Sequence, residues 1–266
     1  MYPRQRVTDR SWVFGSPARE ATLKPLCLRV EAEFELPAVR LCRYFADFDD
    51  ECLTANPYFG QHFRGFHATV ADRHDFPQYL RDCFFHPLET FTMREKLPTL
   101  EEMVAFDALI YLRQSTCDDS TGLAECYAHE LQHVVQRGKT PRLHAVNSVL
   151  YRKLKGLEPA TTVMDIPTER EANIVSKRVA EAVCGVDAVR AFADKQVRLM
   201  EDLGESEQRD RWIFFRDTPS STPFDLLEAT MPLVQKYKTV LDFRIDVNAD
   251  EWWFGPLPED ETYEAA

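Results

Sequence analysis

The sequence contains one run, His129-Glu130-Leu131-Gln132-His133, that restricts both the local structure and the chemistry around it. In an α-helix, residues four apart lie above one another on the same face, so the two imidazoles can bind one metal ion. Glu130 then lies beside them, where its carboxylate can take a proton from metal-activated water. We therefore expect two metal ligands and a general base on one helix.

The residues on either side of this run favour that helix. Residues 118–121 are Asp, Asp, Ser and Thr, whose side-chain oxygens can cap a first turn. Neither Pro nor Gly occurs between residues 123 and 136, and Gly138 provides a stop. The sequence therefore predicts that the run lies inside a helix.

The composition is that of a folded protein without an excess of basic residues. Of 266 residues, 44% are hydrophobic and 12% aromatic, which is typical of a globular chain. The formal net charge of −12 disfavours nucleic acid and anionic membranes as partners, because both attract basic surfaces. The sequence shows no bilayer-spanning apolar run and no secretory signal, so we expect a cytoplasmic protein, with signal-less export left open. Nothing in the sequence indicates an oligomeric state.

The seven cysteines are scattered along the chain, and no two of them form a Cys-x-x-Cys pair. An odd number without a regular spacing is typical of reduced thiols in a core rather than of a disulfide framework or a structural zinc site. We therefore expect core cysteines.

Hydrophobic periodicity predicts a small N-terminal β portion. Residues 1–20 are predicted to form a partly ordered arm. Apolar and charged residues then alternate from Leu26 to Leu36, which predicts a half-buried strand ending at Pro37. Residues 38–54 are predicted to be helical.

A second helix is predicted before the metal-binding run. Thr99 and Glu102 form a capping box, and the apolar stripe that follows predicts a helix to about Arg113. The β-favouring residues 109–112 leave an alternative open, in which they form an edge strand that could hold a peptide by strand addition.

Helical signals dominate the remainder of the chain. Pro and Gly at suitable positions delimit the predicted helices, which cover residues 141–155, 165–185, 186–203 and 222–243, the last interrupted at Pro232. We expect one α+β domain at 21–255, predominantly helical, followed by an acidic tail at 256–266. A helix pair would carry the metal site.

Two histidines leave a catalytic zinc one protein ligand short, and a third His or an acidic residue is the usual solution. The pattern His-x-x-Gly-x-x-His is excluded, because Gln136 and Lys139 occupy the Gly and final His positions. His144 follows without the usual spacing. A better source is the segment Pro167–Asn173, at the start of a predicted helix.

Within that segment, Glu169-Arg170-Glu171-Ala172-Asn173 resembles the Glu-x-x-Ala-Asp/Asn signature of the gluzincin metallopeptidases. The layout is similar to small intracellular peptidases that cleave repressors. The resemblance implies that Glu169 is the third zinc ligand and that Asn173 supports a ligating His without touching the metal. Glu171 is the rival ligand, and only one of the two can point at the metal.

The resemblance also implies an activity. A zinc ion held by His129, His133 and Glu169 would polarise water, and Glu130 would act as general base in the hydrolysis of a protein or peptide substrate. A di-iron carboxylate site is disfavoured, because the chain has only one Glu-x-x-His on a predicted helix. The alternative left open is a catalytically inactive protein of the same fold, either zinc-binding or metal-free.

Overall fold

The computed structural model describes residues 12–14, 16–45, 65–69, 108–157 and 162–237, and most of these residues are helical. The predicted predominance of helix is therefore confirmed for this part of the chain. The described helices are α1 (Pro17–Glu31), α2 (Gln114–Cys117), α3 (Ser120–Lys139), α4 (Pro141–Leu157), α5 (Pro167–Cys184), α6 (Val186–Leu203), α7 (Ser206–Asp217) and α8 (Leu226–Lys236), with a 3-10 turn at Val163–Asp165.

The chain is divided into two compact units, Met1–Leu131 and Gln132–Ala266, and the boundary falls within the continuous helix α3. No helix in the described ranges is both long enough and apolar enough to cross a membrane. The predicted single domain at 21–255 stays a prediction, as do the arm and the tail. Residues 1–11 and 256–266 lie outside the described residues.

The first unit contains a four-stranded sheet with the order β1-β2-β4-β3. Its strands are β1 (Trp12–Val13), β2 (Leu41–Phe45), β3 (Gly65–Thr69) and β4 (Ala108–Leu112). β1 and β4 both pair with β2 in parallel, and β3 pairs with β4 antiparallel. All described strands therefore precede the helix that carries the metal-binding run.

The predicted strand at 26–36 is wrong, because residues 26–31 belong to α1, which ends at Glu31, and residues 32–36 form a turn and irregular chain. Ser16 caps the helix by accepting a hydrogen bond from the Arg19 amide at 3.3 Å, and Pro17 occupies the first helical position. The buried residues of α1 are Leu23, Cys27 and Val30, whose spacing of four and three is helical. Alternation alone was misleading, because Leu28 is 50% exposed.

The helix predicted at 38–54 is also wrong where the structure describes it, since residues 41–45 form β2. This strand is paired on both sides, and its residues Leu41, Cys42 and Phe45 are buried. The alternative of a strand at 109–112 is confirmed by β4. Its expected edge position is wrong, because β4 lies between β2 and β3.

The sheet unit has a polar contact inside its aromatic core. Arg43 donates from Nε to Glu31 Oε1 at 2.5 Å and to the Tyr127 hydroxyl at 2.9 Å, and that hydroxyl donates to Glu31. Burial raises the pKa of Tyr127 well above its ordinary value. The ring of Tyr127 lies 5.9 Å from that of Phe45. These contacts connect α1, β2 and α3 within this unit.

Four of the five described cysteines are buried, and all five are free thiols, as predicted for a reduced core. Burial raises the pKa of Cys42 to about 12. A thiol with such a pKa stays protonated near neutral pH and is therefore a poor nucleophile or metal ligand.

Residues that start or stop helices predict the ends of several helices in the second unit. Gly185 and Gly204, with φ of 93° and 71°, end α5 and α6 at the predicted residues. Helix α4 runs to Leu157, slightly beyond the predicted 155. Helix α8 begins only after Asp225 and contains Pro232, while residues beyond 237 lie outside the described ranges. Helix α7, between these elements, was not predicted.

Helix α7 is held by an aromatic cluster and by a buried lysine. Trp212 is 1% exposed and meets Phe192 and Phe215 edge to face, with ring centroids 5.5 and 5.3 Å away. Lys177 of α5 donates to the carbonyls of Arg216 and Thr218 at 2.7 and 2.6 Å. These are carbonyls at the end of α7, which lack helical partners.

Replacing Lys177 by methionine should lower the free energy of unfolding by about 1–3 kcal/mol, because two carbonyls lose their donor inside the protein. Part of this loss of stability is offset, because the substitution also removes a charge whose burial is unfavourable. The same burial lowers the pKa of Lys177. Urea unfolding measures the change. Lys195→Met, at an exposed position on α6, is the matched control. Equal stability of the two variants would contradict the capping role.

Candidate metal centre

Helix α3 is buried throughout the stretch that carries the metal-binding run, from residue 121 to residue 136. Asp119 caps it, since its Oδ1 accepts a hydrogen bond from the Gly122 amide at 2.9 Å. Its buried polar side chains include Glu125, His129, Glu130, Gln132, His133 and Gln136. Burying so many polar groups is costly unless they are paired or bind something, so this stretch is a candidate site rather than simple core.

The start of α5 provides the acidic side chain. Pro167 occupies the first helical position, where its missing N–H leaves no bond unmade, and Glu169 lies in the first turn. A carboxylate there interacts favourably with the positive end of the helix dipole. The side chain of Glu169 is 31% exposed, so it lies at the border between core and solvent.

The structure brings His129, His133 and Glu169 together. One ligand atom from each residue lies within 4.8 Å of the other two. Two imidazole nitrogens and one carboxylate oxygen form a donor set that suits zinc, with a fourth position left for water. The described residues therefore contain a group that could bind a metal ion.

The separation between donor atoms tests this fit. A tetrahedral zinc about 2.1 Å from each donor holds two donors about 3.4 Å apart. His133 Nε2 and Glu169 Oε1 are separated by 3.4 Å. Hydrogen bonds from nitrogen to oxygen are typically about 2.7–3.2 Å long. The observed separation matches two ligands of one ion better than a direct hydrogen bond.

Gln136 contacts the other ring nitrogen, Nδ1, of the candidate ligand His133. Its Oε1 lies 2.8 Å from His133 Nδ1, and its Nε2 donates to the Thr168 carbonyl at 2.9 Å and to Glu171 Oε2 at 2.7 Å. Gln136 is 2% exposed, so these contacts are shielded from water. The side chain therefore connects the metal-binding run to the first turns of α5.

These contacts distinguish the two candidates for the acidic ligand, Glu169 and Glu171. Glu169 lies with the histidines, whereas Glu171 contacts Gln136. Asn173 donates to the Glu169 carbonyl at 2.8 Å and accepts from Arg211 Nε at 3.0 Å. These bonds support the helical turn that carries Glu169, and the support of a histidine by Asn173 stays a prediction.

The remaining polar candidates have different surroundings. Glu130 is buried next to His129, with 7% exposure. His144 is buried, and its ring centroid lies 6.1 Å from that of His133, edge to face. Tyr237 belongs to the apolar cluster of the second unit, and Tyr151 packs against it. Tyr151 and Tyr237 therefore contribute to the hydrophobic core of this unit.

Sequence reasoning missed Gln136 as a functional candidate. A usable signal was present, since Gln136 follows His133 by three residues and therefore lies on the same face of α3. Its partners come from α5, more than thirty residues further along the chain. Only the packing of the two helices reveals that contact.

No protein-family model, curated protein or solved structure matches this chain. The resemblance to gluzincins therefore rests on the two short motifs and on the arrangement of their side chains. The described part of the chain is predominantly helical and contains a His-His-Glu group that could bind a metal ion.

Proposed function

We propose that this protein is a zinc-dependent metallopeptidase of the gluzincin type, with Glu130 as general base. The observation that carries the proposal is the grouping of His129, His133 and Glu169, with 3.4 Å between His133 Nε2 and Glu169 Oε1. A protein or peptide is the substrate class that the motifs imply.

The donor set favours zinc among the common biological metals. Magnesium and calcium prefer oxygen ligands throughout, whereas imidazole suits zinc and its transition-metal neighbours. When bound, zinc lowers the pKa of a coordinated water to near 7 and polarises a carbonyl oxygen. The neutral imidazoles and one carboxylate leave one net positive charge at the site.

Glu130 has the position and the chemistry for proton transfer. It follows His129 directly on α3 and is buried, since only 7% of its surface is exposed. A carboxylate shielded from bulk water can take a proton from the attacking water and deliver it to the departing amine. Cleavage of a peptide bond then yields a new carboxylate and a new amine, and Glu130 returns to its ionised form.

Metal removal tests this function. Purified protein, after dialysis against a chelator, is incubated with a complex mixture of peptides, with and without one equivalent of zinc. New peptide termini detected by mass spectrometry should appear only with zinc, since the remaining side chains cannot activate water sufficiently. Zinc binding without cleavage would favour the alternative of an inactive zinc-binding protein, and no zinc binding would favour a metal-free interaction protein.

A further inference from the structure

Gln136 is fully engaged by three polar neighbours on two helices. Its carboxamide reaches His133 on its own helix, and the Thr168 carbonyl and the Glu171 carboxylate on α5. A buried amide offers one oxygen acceptor and two N–H donors, and this arrangement uses each of them once. Such complete pairing restricts the orientation of the side chain.

The neighbours of Gln136 determine which of its atoms faces His133. Both partners on the α5 side, the Thr168 carbonyl and the Glu171 carboxylate, are acceptors, so the NH2 group must face them. Turning the amide over would place its oxygen against both acceptors and would lose both hydrogen bonds. Oε1 of Gln136 is therefore the atom that meets the imidazole.

The orientation of this amide selects a tautomer of His133. An oxygen acceptor 2.8 Å from Nδ1 requires the proton of the neutral imidazole to be on Nδ1. The lone pair is then on Nε2, the nitrogen that lies 3.4 Å from Glu169 Oε1. The nitrogen able to bind a metal is thus the one that faces the third ligand.

We propose that Gln136 is a positioning residue for the metal centre, which fixes the tautomer and the ring orientation of His133 and is itself oriented by Glu171. This inference rests on the proposed metal site and deepens it. It also gives Glu171 a role that does not require contact with the metal. Replacing a residue that hydrogen-bonds to a metal ligand, without itself binding the metal, typically lowers metal affinity by about 10–100-fold.

The test compares Gln136→Met with Gln132→Met. Both replace a buried glutamine of α3 by an apolar side chain of similar length, but only Gln136 contacts the ligand His133. Zinc affinity, measured by competition with a chromophoric chelator, should fall about 10–100-fold in Gln136→Met and stay near the wild-type value in Gln132→Met. Circular dichroism of the metal-free proteins checks that both variants fold.

A second measurement reports on the imidazole itself. In metal-free protein at pH 8, above the ordinary His pKa of about 6.5, long-range proton–nitrogen NMR distinguishes the two neutral tautomers. The wild type and Gln132→Met should show His133 protonated on Nδ1, and Gln136→Met should show a mixture. A merely structural role for Gln136 would leave the tautomer unchanged.

Glu171→Gln serves as a milder variant if Gln136→Met does not fold. Its neutral amide oxygen can still accept from Gln136 but is a weaker acceptor than the carboxylate, so zinc affinity should fall below that of Gln132→Met, by less than about 10-fold. Suppose that the wild type binds zinc, and that Gln136→Met, or Glu171→Gln in its place, matches Gln132→Met in zinc affinity and in the tautomer of His133. That result would overturn the positioning role of Gln136 but not the proposed metal site. Wild-type protein that does not bind zinc would instead overturn the proposed function.

Discussion

Replacement of Glu130 by glutamine should lower kcat/KM for peptide hydrolysis about 10²–10⁴-fold while zinc stays bound, because the amide has the same shape but cannot accept a proton. Metal content and kinetics are measured on the same preparation, by elemental analysis and with a peptide found in the cleavage screen. The retention of zinc distinguishes loss of the base from loss of the site.

Glu201→Gln is the control for this substitution, because Glu201 is an exposed glutamate on α6, a helix that carries neither Glu130 nor a candidate ligand. The activity of this variant should remain close to that of the wild type. If Glu130→Gln retained more than about a tenth of wild-type kcat/KM, well above the range for a lost general base, Glu130 would not be that base.

The variants His133→Ala and Glu169→Ala should each lose stoichiometric zinc binding, whereas the Glu171→Ala variant should still bind about one zinc per chain. About one zinc per chain is expected in the wild type, since the described residues form one such group. Either variant leaves two protein ligands instead of three, and Glu169→Ala also removes the negative charge that would partly offset the charge of the ion. Elemental analysis after gel filtration gives the stoichiometry for each variant.

The comparison between the two glutamates carries the most information. They are two residues apart on α5, and Glu171 contacts Gln136 rather than the histidines. Glu171→Ala should therefore weaken zinc binding through Gln136 without removing a ligand. Zinc lost in Glu171→Ala but kept in Glu169→Ala would reverse their assignments and would require a different rotation of α5.

The parts of the fold that sequence reasoning predicted are those with local signals. Helix α6 begins and ends at the predicted residues, because Gly185 and Gly204 stop the helices there. The error at β2 has a non-local cause, since its partners are residues 12–13 and 108–112. No pattern within 41–45 reveals that it is paired on both sides.

In the candidate site, too, local features could be predicted from the sequence, whereas contacts between helices could not. The spacing of His129 and His133 on one helix follows from a local period, and the resemblance led to Glu169 at the start of the predicted helix at 165–185. The bond between Gln136 and Glu171 depends on how α3 and α5 are rotated about their axes. A single sequence carries no direct record of that rotation. Only the structure distinguishes Glu169, which lies with the two histidines, from Glu171, which contacts Gln136.

The three donor side chains differ in depth, and this gradient implies a direction for metal exchange. His133 is 3% and His129 is 7% exposed, whereas the side chain of Glu169 is 31% exposed. An incoming hydrated ion would therefore meet the carboxylate first and exchange its remaining waters for imidazole nitrogens as it moves inward. On departure the order would reverse, so the half-buried carboxylate of Glu169 would be the last of the three groups to release the ion.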